Sequence, residues 1–188
     1  MDDLLTDVQT LSDKMRSNAE RINHTDSIIS VLSERDQLSA AERLAFSRWN
    51  MSLAFESYFI PEKSTISQFE ASDNGHLIAE ALKDKLFSYY ATNERLEANV
   101  ERSMQLYQHN FLTKEILQNI LGGDITRIMI GSDLGRPDFD LNGLKQNSEY
   151  IFALITKKVA TTNQNDVYRR IKRSAEELIE LIDAELGE

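Results

Sequence analysis

The chain is predicted to be all-α, an elongated up-and-down four-helix bundle forming a single domain over residues 1–188. Three observations carry that prediction. Two prolines and seven glycines among 188 residues favour long helices over a turn-rich β fold. Apolar residues recur at alternating spacings of three and four along four stretches, the period of a helix that buries one stripe. Capping and stopping residues separate those stretches. A chain of this length can bury a core without staples. Its 41% hydrophobic and 28% charged residues are the composition of a folded chain rather than a disordered one.

The first helix is expected from about Asp3 to Glu34, with Leu4, Val8, Leu11, Met15, Ile22, Ile29 and Leu32 on its apolar stripe and Asn18 and Thr25 as polar interruptions. Ser39-Ala40-Ala41-Glu42 matches the capping box, in which serine and glutamate satisfy each other's free backbone donors. A second helix starts there, carries Leu44, Trp49, Leu53, Phe55, Tyr58 and Phe59, and ends at Pro61, because proline disfavours helix at the residue before it. Ile66 and Phe69, three apart, predict a short extra helical turn near 65–71, and the polar corner Ala71 to Gly75 separates that turn from a third helix.

The third helix opens at the corner and runs through Leu77, Leu82, Leu86, Tyr90, Leu96, Val100 and Phe111 to Ile120, where Gly122-Gly123 stops it. A kink is expected near Asn110 to Thr113, since a helix this long outruns its neighbours. An irregular loop at 122–147, containing the apolar Ile125, Ile128, Met129 and Ile130, is expected to fold over the end of the bundle. The last helix is expected from Ser148 to Leu186 through Ile151, Leu154, Ile155, Val159, Tyr168, Ile171, Ala175, Ile179 and Ile182.

The formal net charge of −10 repels phosphate backbones and leaves no basic face, so no nucleic-acid partner is expected. The chain has no cysteine, which excludes thiol catalysis, disulfides and cysteine metal sites. No run approaches the roughly 18 apolar residues of a membrane span, and Met1-Asp2-Asp3 is not the basic start of a signal peptide.

Several segments together resemble a bacterial family of uncharacterised function, a domain of unknown function whose members carry one N-terminal membrane helix and an extracytoplasmic helical domain. The resemblance rests on Tyr58-Phe59-Ile60-Pro61, Ser64-Thr65-Ile66-Ser67-Gln68-Phe69, Ser72-Asp73-Asn74-Gly75-His76-Leu77-Ile78, Leu82-Lys83-Asp84-Lys85-Leu86 and Tyr89-Tyr90. It covers the chain loosely and its middle third well. It implies that only the soluble helical part is present, that an N-terminal anchor is missing, and that the natural place is the extracytoplasmic, periplasmic face of a bacterial membrane. It carries over no catalytic residue.

The sharpest chemical motif is Asp138-Phe139-Asp140-Leu141-Asn142-Gly143 with Glu149 six positions after the glycine, which fits the spacing of a calcium-binding EF-hand loop. Its oxygen ligands would be Asp138, Asp140, Asn142, the Leu144 carbonyl and Glu149. Against it, Gly135 and Pro137 stand where an entering helix should be, and Lys145 stands where such loops have an aliphatic residue. The competing and preferred reading makes Asp140 or Asn142 a cap of the last helix, with Phe139 and Leu141 packed beneath. Tyr89, Tyr90, Phe87 and Trp49 either line an inter-helix pocket or form core, and core is the commoner fate of aromatics at helical spacing. His24, His76 and His109 lack the spacing of a zinc protease. The basic run Arg169-Arg170-Ile171-Lys172-Arg173 either meets anionic groups or pairs with nearby acids at helical spacing. Asn23-His24-Thr25 and Asn50-Met51-Ser52 match the glycan acceptor triplet by chance at this length, helical burial of Trp49 and Met51 argues against modification, and both are discounted.

The function expected from these readings is a non-enzymatic helical interaction domain that docks to a protein partner or to itself, with no cofactor. The alternative is a calcium- or small-ligand-binding helical domain using the 138–149 loop or the aromatic pocket.

Overall fold

The structure is a computed structural model that describes residues 1–54, 58–64, 66–67, 80–105, 108–120 and 138–187. Every regular element among them is helical: α1 (Asp2–Glu34), α2 (Ala40–Ala54), α3 (Glu80–Gln105), α4 (Gln108–Glu115) with a π-helical turn at Ile116–Ile120, α5 (Leu141–Gln146) and α6 (Ser148–Gly187). The protein is all-α, as its composition and periodicity require.

Local chemistry explains several of these boundaries. Asp2 and Asp3 lie in the first turn of α1, where the positive end of the helix dipole favours them. The expected capping box forms ahead of α2: Ser39 N–H donates to Glu42 Oε2 at 2.8 Å, and Glu42 N–H donates to Ser39 Oγ at 3.3 Å. The Ser39 N–H bond first, and then the Ser39 hydroxyl, hold the Glu42 carboxyl below the usual range.

Three expectations are corrected. The second helix is not continuous to Pro61, because Tyr58 to Lys63 are non-helical, with the Phe59 and Glu62 N–H groups drawn to the distant side chains of Tyr168 and Asp7. Asn110 to Thr113 are regular α-helix, and the irregularity falls instead on the π turn, which sets both Ile116 and Ile120 fully inside the core. The irregular stretch placed at 122–147 contains the helix α5, whose Leu141 and Leu144 are three apart and buried. Residues 121–137, with their apolar isoleucines and glycine stop, lie outside the described residues, as do the polar corner and His76. Of the extra turn near 65–71, Ser64, Ile66 and Ser67 are described and helical, with Ser67 N–H donating to the Lys63 carbonyl at 3.0 Å.

The chain groups into two compact units: residues 1–17, 57–101 and 163–188 form the first, and residues 18–56 and 102–162 the second. Each unit takes part of α1, α3 and α6, so neither is one consecutive stretch. The first unit buries Leu4, Leu11, Phe59, Ile66, Tyr89, Tyr90, Tyr168, Ile171, Ala175 and Leu178 together. The second buries Ile28, Leu32, Phe46, Leu53, Leu112, Ile116, Ile120, Phe139, Leu141, Leu144, Tyr150 and Leu154.

Candidate functional site

The first unit is organised around a buried carboxylate. Asp7 is 1% exposed; its Oδ1 accepts the Glu62 N–H and its Oδ2 the Tyr89 hydroxyl, each at 2.9 Å. One turn earlier, Asp3 accepts from Ser64 Oγ at 2.9 Å. On the other side of the segment, the Tyr168 hydroxyl accepts the Phe59 N–H at 3.1 Å and a bond from Gln164 Nε2 at 2.9 Å. The non-helical stretch Phe59 to Lys63 and the adjoining Ser64 are thus tied down at three points. Burial raises the Asp7 pKa, with the hydrogen bonds from Glu62 and Tyr89 opposing the rise and the Asp3 charge adding to it. Burial, and then the Asp7 charge, hold the Tyr89 hydroxyl protonated well above the ordinary tyrosine range.

The second unit has its own buried polar groups. Asn50, fully buried, accepts from the Tyr150 hydroxyl and donates to the Phe46 carbonyl at 2.9 Å. That burial and those bonds leave Asn50 no room for a glycan, as expected. Asn18, Thr25, Lys157 and Thr161 are also buried. Arg21 donates to Asn18 Oδ1 at 3.0 Å, and Thr25 Oγ1 donates to the Arg21 carbonyl at 2.8 Å. Burial pushes the Lys157 ammonium down to about 7, and the neighbouring Arg21 charge adds to the effect. His24 Nδ1 lies 2.7 Å from Ser52 Oγ, which also donates to the Trp49 carbonyl at 2.7 Å. Sequence reading missed this pair, because 28 residues separate its members and only the packing of α1 on α2 joins them. A histidine beside a serine is one element of nucleophilic catalysis, but here the serine proton is engaged by a backbone carbonyl.

The proposed calcium ligands are spread along a helical connection. Asp138 is exposed and lies 3.7 Å from Arg43. The guanidinium of Arg43 donates to the Phe139 carbonyl at 2.9 Å and sits 4.9 Å from the centre of the Phe139 ring. Phe139 stacks on Phe46 with ring centroids 5.0 Å apart. Asp140 is the residue before α5 and makes no side-chain capping bond; its carbonyl accepts the Leu144 N–H at 3.0 Å. Asn142 is exposed on α5, the Leu144 carbonyl accepts the Asn147 N–H at 3.2 Å, and Glu149 is exposed in the first turn of α6. Among the described residues, no three His, Cys, Asp or Glu side chains gather closely enough to hold an ion. The cap of the last helix is a residue that sequence reading passed over: Asn147 Oδ1 accepts the Tyr150 N–H at 3.0 Å.

The four aromatics are divided between the cores. Tyr89 and Tyr90 pack edge to face at 5.1 Å in the first unit, with Phe87 beside that core, and Trp49 packs against the core of the second. Two cations of the basic run pair with acids at helical spacing, Lys172 with Glu176 at 3.5 Å and Arg169 with Asp166 at 2.5 Å.

The strongest surface feature lies on α6 in the second unit. Phe152, Ile155 and Val159 are 56%, 48% and 52% exposed, while Lys157 and Thr161 on the same helix are buried. The ordinary amphipathic pattern is inverted here. Spaced three and four, the exposed apolar side chains form one stripe along the helix. Ile155 and Val159 were expected on the inward stripe. The inward positions went to Ala153, Leu154 and Lys157, because helical rotation cannot bury both sets against one core.

No family model, characterised protein or solved structure matches this chain, so the functional reading rests on its own residues. No helix among the described residues is long and apolar enough to cross a membrane.

Proposed function

We propose that this chain is a non-enzymatic helical interaction domain that docks a partner protein on the Phe152-Ile155-Val159 stripe of α6. The observation that carries the reading is the inversion of α6, three large apolar side chains about half exposed where a solvated helix face would be polar. Three such residues at helical spacing suit the apolar face of a partner helix, laid along them as anchors. Glu149 at the head of the stripe and the chain's net charge of −10 favour a partner whose flanking residues are basic, and disfavour a second copy of this acidic chain. The resemblance through Tyr58 to Pro61 and Ser64 to Phe69 supports an extracytoplasmic place at a bacterial membrane. The up-and-down four-helix arrangement within one domain belongs to the same proposal.

The test is a photo-crosslinking side chain placed at Phe152 or Val159, followed by reconstitution with the purified partner so identified. Ile155→Asp is expected to weaken the reconstituted complex by about tenfold or more without changing thermal stability. Cross-links confined to a second copy of this chain would replace the heterologous partner by self-association, and cross-links insensitive to Ile155→Asp would remove the stripe from the interface.

A further inference from the structure

Within the first unit, α3 and α6 face each other across an open groove of about 530 Å³, within the size range of small-molecule sites. Tyr89, Asn93, Ile171 and Leu178 are buried residues of its lining. Asn93 is 2% exposed; its Nδ2 leans on the Tyr89 hydroxyl, whose own proton goes to Asp7, and at least one of its two amide hydrogens has no acceptor among the described residues. A buried amide left in that state costs free energy comparable to a lost hydrogen bond, which a ligand acceptor in the groove would recover. Charge points to the kind of acceptor. In a chain of net charge −10, the described residues of the groove lining include two cations, Lys85 and Arg170, and one carboxylate, Glu177. Leu96 and Leu181 complete an apolar wall.

We propose that this groove is a binding site for a small amphipathic carboxylate. Its apolar body lies against Ile171, Leu178 and Leu181, and a carboxylate oxygen accepts the free hydrogen of Asn93 Nδ2. Arg170 and Lys85, both exposed at the rim, supply the charge that selects an anion over an alcohol of the same length. The site is independent of the α6 stripe, since none of its residues belongs to that stripe.

The probe is decanoate below its micelle concentration, followed by the NMR shift of the Asn93 side-chain amide, with decanol and acetate as controls. Decanoate is expected to give a saturable shift at Asn93 and to bind about tenfold more tightly than decanol, with no saturation by acetate. Lys85→Gln with Arg170→Gln, at exposed positions that leave the fold intact, is expected to erase the difference between decanoate and decanol. Asn93→Leu, checked for folding by its thermal transition, is expected to lower decanoate affinity by a similar factor. Absence of a saturable shift at Asn93, equal binding of decanol, or shifts spread equally over Phe152, Ile155 and Val159 would each overturn the proposal. The same experiment in Ile155→Asp separates this site from the partner surface, because decanoate binding is expected to be unchanged there.

Discussion

Asp7 and Lys157 are two buried residues that make stability depend on pH, and they act in opposite directions. A carboxyl with a raised pKa in the folded protein holds its proton more tightly than the unfolded chain does. Asp7 therefore contributes most below the ordinary carboxylate range, and that contribution is lost as pH rises through its folded value. Asp7→Asn, neutral at every pH and able to accept the Glu62 N–H, is expected to flatten this loss and keep the melting temperature at pH 7 at or above that of the parent. Asp7→Ala leaves the Glu62 N–H and the Tyr89 hydroxyl without their buried acceptor, at about 1–3 kcal/mol each, and is expected to lower the melting temperature by several degrees. Melts from pH 4 to 8 distinguish the two variants. Lys157, with its pKa lowered to about 7, binds fewer protons folded than unfolded between that value and the ordinary lysine range, so stability rises with pH across that window. Lys157→Met is expected to stabilise the chain at pH 6 by several degrees and to flatten the rise; an unchanged pH profile would show that the ammonium finds solvent in the folded chain. Neither residue announced itself in the sequence. Asp7 is one acid among 31, and Lys157 sits in a helix where a solvated lysine is the ordinary expectation.

Among the elements, the junction between α5 and α6 rests on a single residue. Asn147 donates its N–H back to Leu144 and accepts the Tyr150 N–H on its side chain, closing one helix and opening the next. Asn147→Ala is expected to cost about 1 kcal/mol, or about 2–4 °C in melting temperature for a chain of this size, whereas Asn142→Ala, on the exposed face of α5, is expected to change it by under about 0.5 kcal/mol. The same junction carries a prediction about calcium. With Leu141 to Gln146 coiled into helix and the Leu144 carbonyl engaged by Asn147, millimolar calcium is expected to leave the melting temperature where chelator leaves it. A calcium-specific rise abolished by Glu149→Gln would require α5 to unwind around the ion. The spacing of Asp138, Asp140, Asn142 and Glu149 was legible as a ligand pattern. That Leu141 to Gln146 would coil into a helix was not, because Leu141 and Leu144 turn together into the core beside Phe139. The capping box at Ser39 was fully legible, since all its partners lie within one helical turn.

For the whole molecule, the helical class and the spans of α1 and α6 follow from local rules. Their apolar positions, caps and scarcity of glycine and proline act over one or two turns, and such signals survive in a bare sequence. What lies on each face of a helix does not. Substituting Phe152, Ile155 and Val159 together by Ser is expected to leave thermal stability nearly unchanged, within about 0.5 kcal/mol at each position, because no core covers them. The same change at Leu154, buried beside Tyr150, is expected to cost several kcal/mol. Sequence periodicity treats Leu154, Ile155 and Val159 as equals, and the comparison of these variants measures how unequal they are. The sequence by itself determined that the chain is helical, acidic and free of cysteine chemistry, since each of these is a sum over residues or a pattern within a turn. Only the tertiary structure decided that Asp7 would hold Glu62 and Tyr89, that His24 would meet Ser52, that Asn93 would line a groove with an amide hydrogen left over, and that α6 would turn three apolar side chains outward. Each of those outcomes depends on which distant segments compete for the same buried space, and packing settles that competition.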